Sequence, residues 1–323
     1  MKTIFKIAAL LLSGLMLFAC AAEPAATTTA AATTTAATTE DTGADTEPAA
    51  VGVTLTYDPK SGDTVEKSGE TEVSLSVKDA YAVGDKIKIT LPEGQHYVAF
   101  CLSKGNVEET ILYLPKSTFT YTVQNISQSY PAAMSSSRKS TITARIPTAE
   151  ELAANRNLAC NPADLETNKN AYPHAVASNV HNKTNETDRL HFEARNAIDG
   201  FTQNKGHGGW PVQSWGPGNN MSAKDTFKID FGRDVSVTKI VVYIRADFPH
   251  DTYWNSCTVK FSDGTTQELT FKQSSNAQEF EFDSAKVVSS ITFTNFAKGT
   301  VSGSDNQWAA WMELQVFGSD IIG

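Results

Sequence analysis

Cysteine is scarce in this 323-residue chain, at four positions. Cys20, Cys101, Cys160 and Cys257 match no zinc-ligand spacing. Lysine and arginine form no run, and the formal net charge is −9. That balance argues against nucleic acid and against docking on anionic membranes. There is no Gly-x-Ser-x-Gly elbow and no His-Glu-x-x-His, so the common marks of a serine hydrolase and of a zinc protease are missing. No apolar run reaches the roughly 20 residues that span a bilayer, and the nearest approach is residues 7–18. Tryptophan is absent before Trp210, and all five lie between Trp210 and Trp311.

The apolar run at 7–18 follows Lys2 and Lys6, which is the layout of an export signal. Residues 21–50 are almost wholly Ala, Thr, Pro and acid, with no Lys or Arg. Such a stretch cannot bury enough apolar surface to offset its ordering entropy, so a flexible tether is expected. As a coil it reaches about 30 Å. Leu17-Phe18-Ala19-Cys20 resembles a bacterial lipobox, departing from it at Phe18, where a small residue is usual. The resemblance implies that residues 1–20 carry a lipoprotein signal and that Cys20 is lipidated, leaving the protein outside the cell and membrane-bound only through that anchor. Simple cleavage after Ala21 or Ala22 is the alternative. With Cys20 lipidated, three cysteines remain. They allow one disulfide, with Cys160–Cys257 the first candidate, or three buried thiols.

Residues 51–146 read as seven short alternating strands, at 53–57, 71–77, 86–91, 97–102, 111–114, 118–123 and 140–146. Turn signals at Gly62, Gly84, Gly94 and Gly105 separate them. This spacing predicts an immunoglobulin-like β-sandwich. Its aromatics alternate as core residues do, and it carries no cluster of His, Cys or carboxylates, so the expected role is a spacer. Residues 147–156 predict a short linker helix, with Thr148 and Glu151 as a capping box.

Residues 157–319 form the second predicted domain. A strand at 235–244 runs into the polar stretch Arg245-Ala246-Asp247-Phe248-Pro249-His250-Asp251-Thr252-Tyr253-Trp254, and another leaves it at 257–261. Pro249 is unsuited to a central ladder, so the stretch is a loop at one end of a sheet. Its Arg, Asp, His and aromatic mixture suits a polar ligand with one flat face. A salt-bridged loop with Trp254 plugging the core is the plainer reading. Trp215, Trp308 and Trp311 are expected in the core, and His181 and His191 at the surface.

The order of features resembles the discoidin, or coagulation-factor C-domain, superfamily. The domain opens on Asn157-Leu158-Ala159, and Phe192 to Gly200 ends in Ala197-Ile198-Asp199-Gly200. Phe227 to Gly232, Phe261-Ser262-Asp263-Gly264 and Trp311 to Gly318 follow in turn. It is most similar to the galactose-binding-like modules that include family 32 carbohydrate-binding modules. The resemblance implies an eight-stranded jelly-roll, so the whole chain is expected to be all-β. It also implies a structural Ca2+ at Asp199 and Glu313, with Thr202 or Asn204 adding a ligand. The ligand residues it implies are His207 and Arg245, with Asp247, His250 and Asp251 as polar partners and Trp210 and Trp254 as platforms.

The function these readings predict is non-catalytic binding of a glycan or polysaccharide. An adhesin or structural stalk that binds a protein or cell-wall polymer is the alternative. A metal-dependent glycan hydrolase built on Asp247, His250, Asp251 and His207 is a third. Neither the sugar nor the oligomeric state is legible.

Overall fold

The computed structural model describes residues 52–124, 134, 139–167, 169–181, 184–203, 206, 208–218, 221–222, 224–246, 252–299 and 308–322. The expected signal, tether and Cys20 lie outside them. Residues 48–323 form one compact unit. Within it are two β-sandwiches.

The first sandwich contains β1 (Val53–Asp58), β2 (Val65–Gly69), β3 (Glu72–Val77), β4 (Lys86–Thr90), β5 (Tyr97–Cys101), β6 (Thr110–Tyr113), β7 (Thr118–Thr122) and β8 (Ser140–Arg145). The alternation of the sequence becomes alternation of burial. Val53, Leu55 and Tyr57 of β1, Val73, Leu75 and Val77 of β3, and Ile87 and Ile89 of β4 all enter one core. Each such side chain contributes about 1.5–3 kcal/mol on leaving water. The strands form two antiparallel four-stranded sheets, ordered β2-β1-β4-β7 and β3-β8-β5-β6. The sandwich matches expectation, but its strand order is not the ABED/CFG order of immunoglobulin constant domains. The additional strand, β2, is exposed or nearly so along its whole length and pairs with β1 alone. An edge strand that buries neither face has no hydrophobic alternation to read.

The capping box forms as expected. In helix α1 (Ala149–Ala153) the Glu151 backbone N–H donates to the Thr148 hydroxyl, and the Glu151 carboxylate accepts from the Thr148 backbone N–H. The same carboxylate takes both terminal nitrogens of Arg145, at 2.8 and 2.7 Å. The helix is therefore tied to the end of β8.

The second sandwich is built on β9 (Arg156–Asn157), β10 (His174–Ala177), β11 (Phe227–Ile244), β12 (Trp254–Phe261), β13 (Thr266–Thr270), β14 (Gln278–Lys298) and β15 (Trp311–Asp320). Helix α2 (Glu186–Phe192) and a 3-10 turn (Ala194–Ala197) precede β11. All pairing is antiparallel, in the order β13-β12-β14-β11-β15-β9, with β10 on β11. The long β11–β14 ladder runs through the whole domain and breaks register between Asp230 and Val235 and between Val237 and Lys239. Such irregularities bend strands, which lets one ladder serve both layers. Trp215, Trp254, Trp311, Phe227 and Phe293 meet in the core.

The two sandwiches pack directly. Ala163, Leu165 and Ala171, downstream of the helix, belong to the core of the first sandwich. Tyr113 and Tyr172 exchange backbone hydrogen bonds at 2.9 and 3.0 Å. The Arg233 guanidinium lies 5.3 and 5.2 Å from the ring centres of Tyr97 and Tyr113 and donates to the buried Asp320 carboxylate. All three described cysteines are free and buried. The Cys160–Cys257 disulfide is therefore corrected. Cys257 points into the second core, whereas Cys160 lines the groove between the sandwiches.

Candidate functional site

Two neighbouring features make up the candidate site: a buried acidic turn, and the loop end that holds Arg245.

The turn follows the 3-10 segment. Gly200 takes φ of +88°, in the left-handed region that favours glycine. Its N–H donates to both oxygens of Glu313 on β15, at 3.2 Å each. Asp199 accepts from the Phe201 N–H at 3.0 Å and from the Gln213 amide nitrogen at 3.1 Å. Both carboxylates are buried. Burial pushes Asp199 up to about 8, against the pull of Arg195. Burial and then the Asp199 charge hold Glu313 well above the usual carboxylate range. Two like charges out of water are unstable unless protonated or matched by a cation.

The Gln213 side-chain oxygen and the Asn196 side-chain oxygen are also buried, with no hydrogen-bond partner among the described residues. Two carboxylates and an unpartnered amide oxygen suit a hard cation that takes oxygen ligands, as calcium does. Among the described residues, no group of three or more His, Cys, Asp or Glu gathers as a metal cluster. Further ligands among the described residues would thus be amide, hydroxyl or carbonyl oxygens. Thr202 is partly buried nearby in sequence, and Asn204 lies outside the described residues.

The loop end is assembled by backbone hydrogen bonds. Arg245 N–H donates to Ala310 O at 2.9 Å, and Trp215 and Trp311 exchange a pair. Ser214 N–H donates to His191 O, and His181 N–H to Gly216 O. Gly208 packs near the His191 ring. These contacts bring residues 208–216, Arg245 and the segment before β15 to one end of the sandwich. His207, Asp247, His250 and Asp251 lie outside the described residues.

Of the expected ligand residues, Trp210 is partly buried, edge-on to Phe201 at 5.3 Å, and its indole N–H has no partner among the described residues. Arg245 is only 4% exposed, with Nη1 3.5 Å from the Ser214 hydroxyl. It forms the floor of this end rather than a surface finger. Trp254 is not a platform. It is 1% exposed, stacked on Trp215 with ring centres 6.3 Å apart and 17° between planes, and 5.0 Å from Phe296. No sugar can reach its face. The expectation for Trp308 also fails, in the opposite direction. It is 40% exposed, and its ring meets His181 edge-on at 4.5 Å. His181 in turn packs edge-on against Phe192 at 5.3 Å.

No strand alternation in the sequence forecasts the exposure of Trp308, because it precedes β15, whose first residue is Trp311.

No family model matches the chain, and no curated protein matches it. Solved structures do show a likeness over about half of it. A chitosan-binding module of a chitosanase/glucanase from Paenibacillus sp. IK-5 is 18% identical, covering 51% of this chain and 100% of that one, with a TM-score of 0.35. A family 32 carbohydrate-binding module of NanJ from C. perfringens, in complex with galactose, is 17% identical over 44% of this chain and 91% of that one, with a TM-score of 0.33. A fucose-binding module of Streptococcus pneumoniae is 14% identical over 51% of this chain and 96% of that one, also at 0.33. At these scores the function has to be argued from the site itself.

Proposed function

We propose that this chain is a cell-surface lipoprotein that binds carbohydrate without catalysis at the loop end of its second sandwich. The observation that carries the reading is Trp308, an exposed indole braced edge-on by His181 and standing two residues from the Ala310 carbonyl that holds Arg245. A braced aromatic face offers apolar area to a sugar ring at low rotamer cost. The partly buried Trp210, with its unpartnered N–H, lies in the loop that reaches the same end through Gly208 and His191. The buried carboxylate pair, Asp199 and Glu313, is closed off from a glycan, so it supports a metal role rather than a glycosidase one. Asp199, Glu313 and Gln213 would hold a calcium ion, which supplies positive charge to a turn that otherwise buries two like charges. Cys20 would carry the lipid anchor.

The test is a glycan array with wild type and Trp308→Ala, followed by calorimetry on the best ligand. Binding by wild type that is lost in Trp308→Ala, with the melting temperature unchanged, supports the reading. Binding to proteins but to no glycan refutes it in favour of an adhesin. Cys20→Ser should release the protein from membranes, and unchanged membrane association in that variant would refute the anchor.

A further inference from the structure

Three carboxylates surround Gly200, and they come from both sandwiches. Two are the buried Asp199 and Glu313. The third is Glu108, in the turn between β5 and β6 of the first sandwich. Its Oε2 lies 3.9 Å from the point a Cβ on Gly200 would occupy, and Cys160 Sγ lies 3.3 Å from the same point. A groove of about 470 Å³ runs between the sandwiches and is lined by Glu108, Thr110, Cys160 and Gly200. It opens over the Gly200 peptide, whose N–H is bonded to Glu313.

Glu108 makes no hydrogen bond or ion pair among the described residues. Its neighbour Glu109 is held by Arg145 at 2.6 Å. The placement of Glu108 is not left to a loose turn. Thr110 Oγ1 donates to Cys160 O at 2.6 Å, and the Tyr113–Tyr172 backbone pair continues the same attachment. On the far side of the turn, the Gln213 amide bonds Asp199 through its nitrogen, which leaves its buried oxygen beside the carboxylates without a partner. The nearby cation, Arg195, is itself paired with Glu193 at 2.7 Å.

We propose that Glu108 stands at the entrance of the cation site and adds its charge to it, so that calcium binding to the second sandwich locks the first sandwich in place. This rests on the calcium reading above and deepens it. It gives the first sandwich a task beyond spacing. Without the cation, Glu108 faces two buried carboxylates across Gly200 and the contact is repulsive. With the cation, the same charge becomes attractive and slows escape through the groove. The buried carboxylates of Asp199 and Glu313 and the Gln213 amide oxygen are hard donors, which favours calcium over softer ions.

The experiment uses the full chain and calcium chloride. Calorimetry compares wild type, Glu108→Gln and Asp199→Asn, and hydrogen exchange is followed at residues 110–113 with and without calcium. Glu108→Gln should weaken calcium binding about three- to tenfold, the range for one partly solvated charge acting on a divalent ion several ångströms away. Calcium should slow exchange at residues 110–113 in wild type and much less in Glu108→Gln. Asp199→Asn should abolish both effects. Glu108 is exposed, so its substitution leaves the fold intact, which the calcium-free melting temperature checks. Equal affinity in Glu108→Gln, or exchange at 110–113 indifferent to calcium in wild type, overturns the proposal while the calcium site stands. No binding by wild type removes the calcium reading itself.

Discussion

Truncating Trp254 to Ala separates a core plug from a ligand platform. The side chain is 1% exposed, stacked on Trp215 and against Phe296, with the Lys298 ammonium 5.9 Å from its ring centre. An indole of this kind buries about 200 Å². At about 25 cal/mol per Å², that is about 5 kcal/mol as an upper bound. Measured truncations of buried aromatics cost about 3–5 kcal/mol. For a unit of this size each kcal/mol moves the melting temperature by about 2–4 °C, so a fall of roughly 6–20 °C is expected.

Trp254→Phe is the informative companion. It keeps most of the ring contacts and removes a buried N–H that has no partner. Leaving such a donor unpaired costs about 1–3 kcal/mol, so the substitution should be nearly neutral. Chemical denaturation followed by circular dichroism reads both variants. Trp308→Ala should show the reverse pattern, with a change within about 0.5 kcal/mol because the residue is exposed. A Trp254→Ala protein with unchanged stability and no glycan binding would refute the assignment of Trp254 to the core.

Chelation should lower the melting temperature, since a ligand present at 100 times its dissociation constant stabilises by about 2.7 kcal/mol. Asp199→Asn should be indifferent to chelator and, once chelated, at least as stable as chelated wild type, because it removes a buried like charge. A chelator-insensitive wild type counts against the metal. His174 supplies a pH test. Burial pushes it down, but the Asp164 carboxylate 2.7 Å away pulls it further up, with Asp230 adding and Lys169 opposing, so its folded pKa is raised. Its contribution is fully present below about pH 6.5 and is lost as pH rises through the raised value, so stability should decline as pH climbs above about 6.5. His174→Gln should flatten that slope, and an unchanged slope would assign it to other groups. Arg233→Ala should cost about 2–4 kcal/mol, because it leaves the buried Asp320 carboxylate to Arg156 alone and strips both tyrosine faces. Unchanged thermal unfolding would mean that this contact does not hold the sandwiches together. Cys101, Cys160 and Cys257 should resist thiol reagents in the native protein and all react when it is unfolded, since burial raises each thiol. A mass consistent with a disulfide would contradict this.

Strand alternation made most of the first sandwich legible, because strands such as β1, β3 and β4 bury one face and wet the other, whereas β2 buries neither. The capping box was legible because Thr148 and Glu151 need only each other and three residues of backbone. Asp199, Gly200 and Glu313 were legible as a group only through the resemblance, yet the structure brings them together by hydrogen bonds. Tertiary structure decided the rest. By plain alternation Trp254 shares a face with Ser256 and Thr258, opposite the buried Cys257, Val259 and Phe261. Two register irregularities between Trp254 and Thr258, opposite a positive φ at Asn295, turn its ring inward instead. A bulge depends on the partner strand, which no local pattern encodes. The return of Ala163, Leu165 and Ala171 to the first core, and the seat of Arg233 between two tyrosines of the other sandwich, are likewise contacts between residues far apart in sequence. Composition and periodicity specify which face of an element is apolar. Which partner covers that face is settled only when the chain closes on itself.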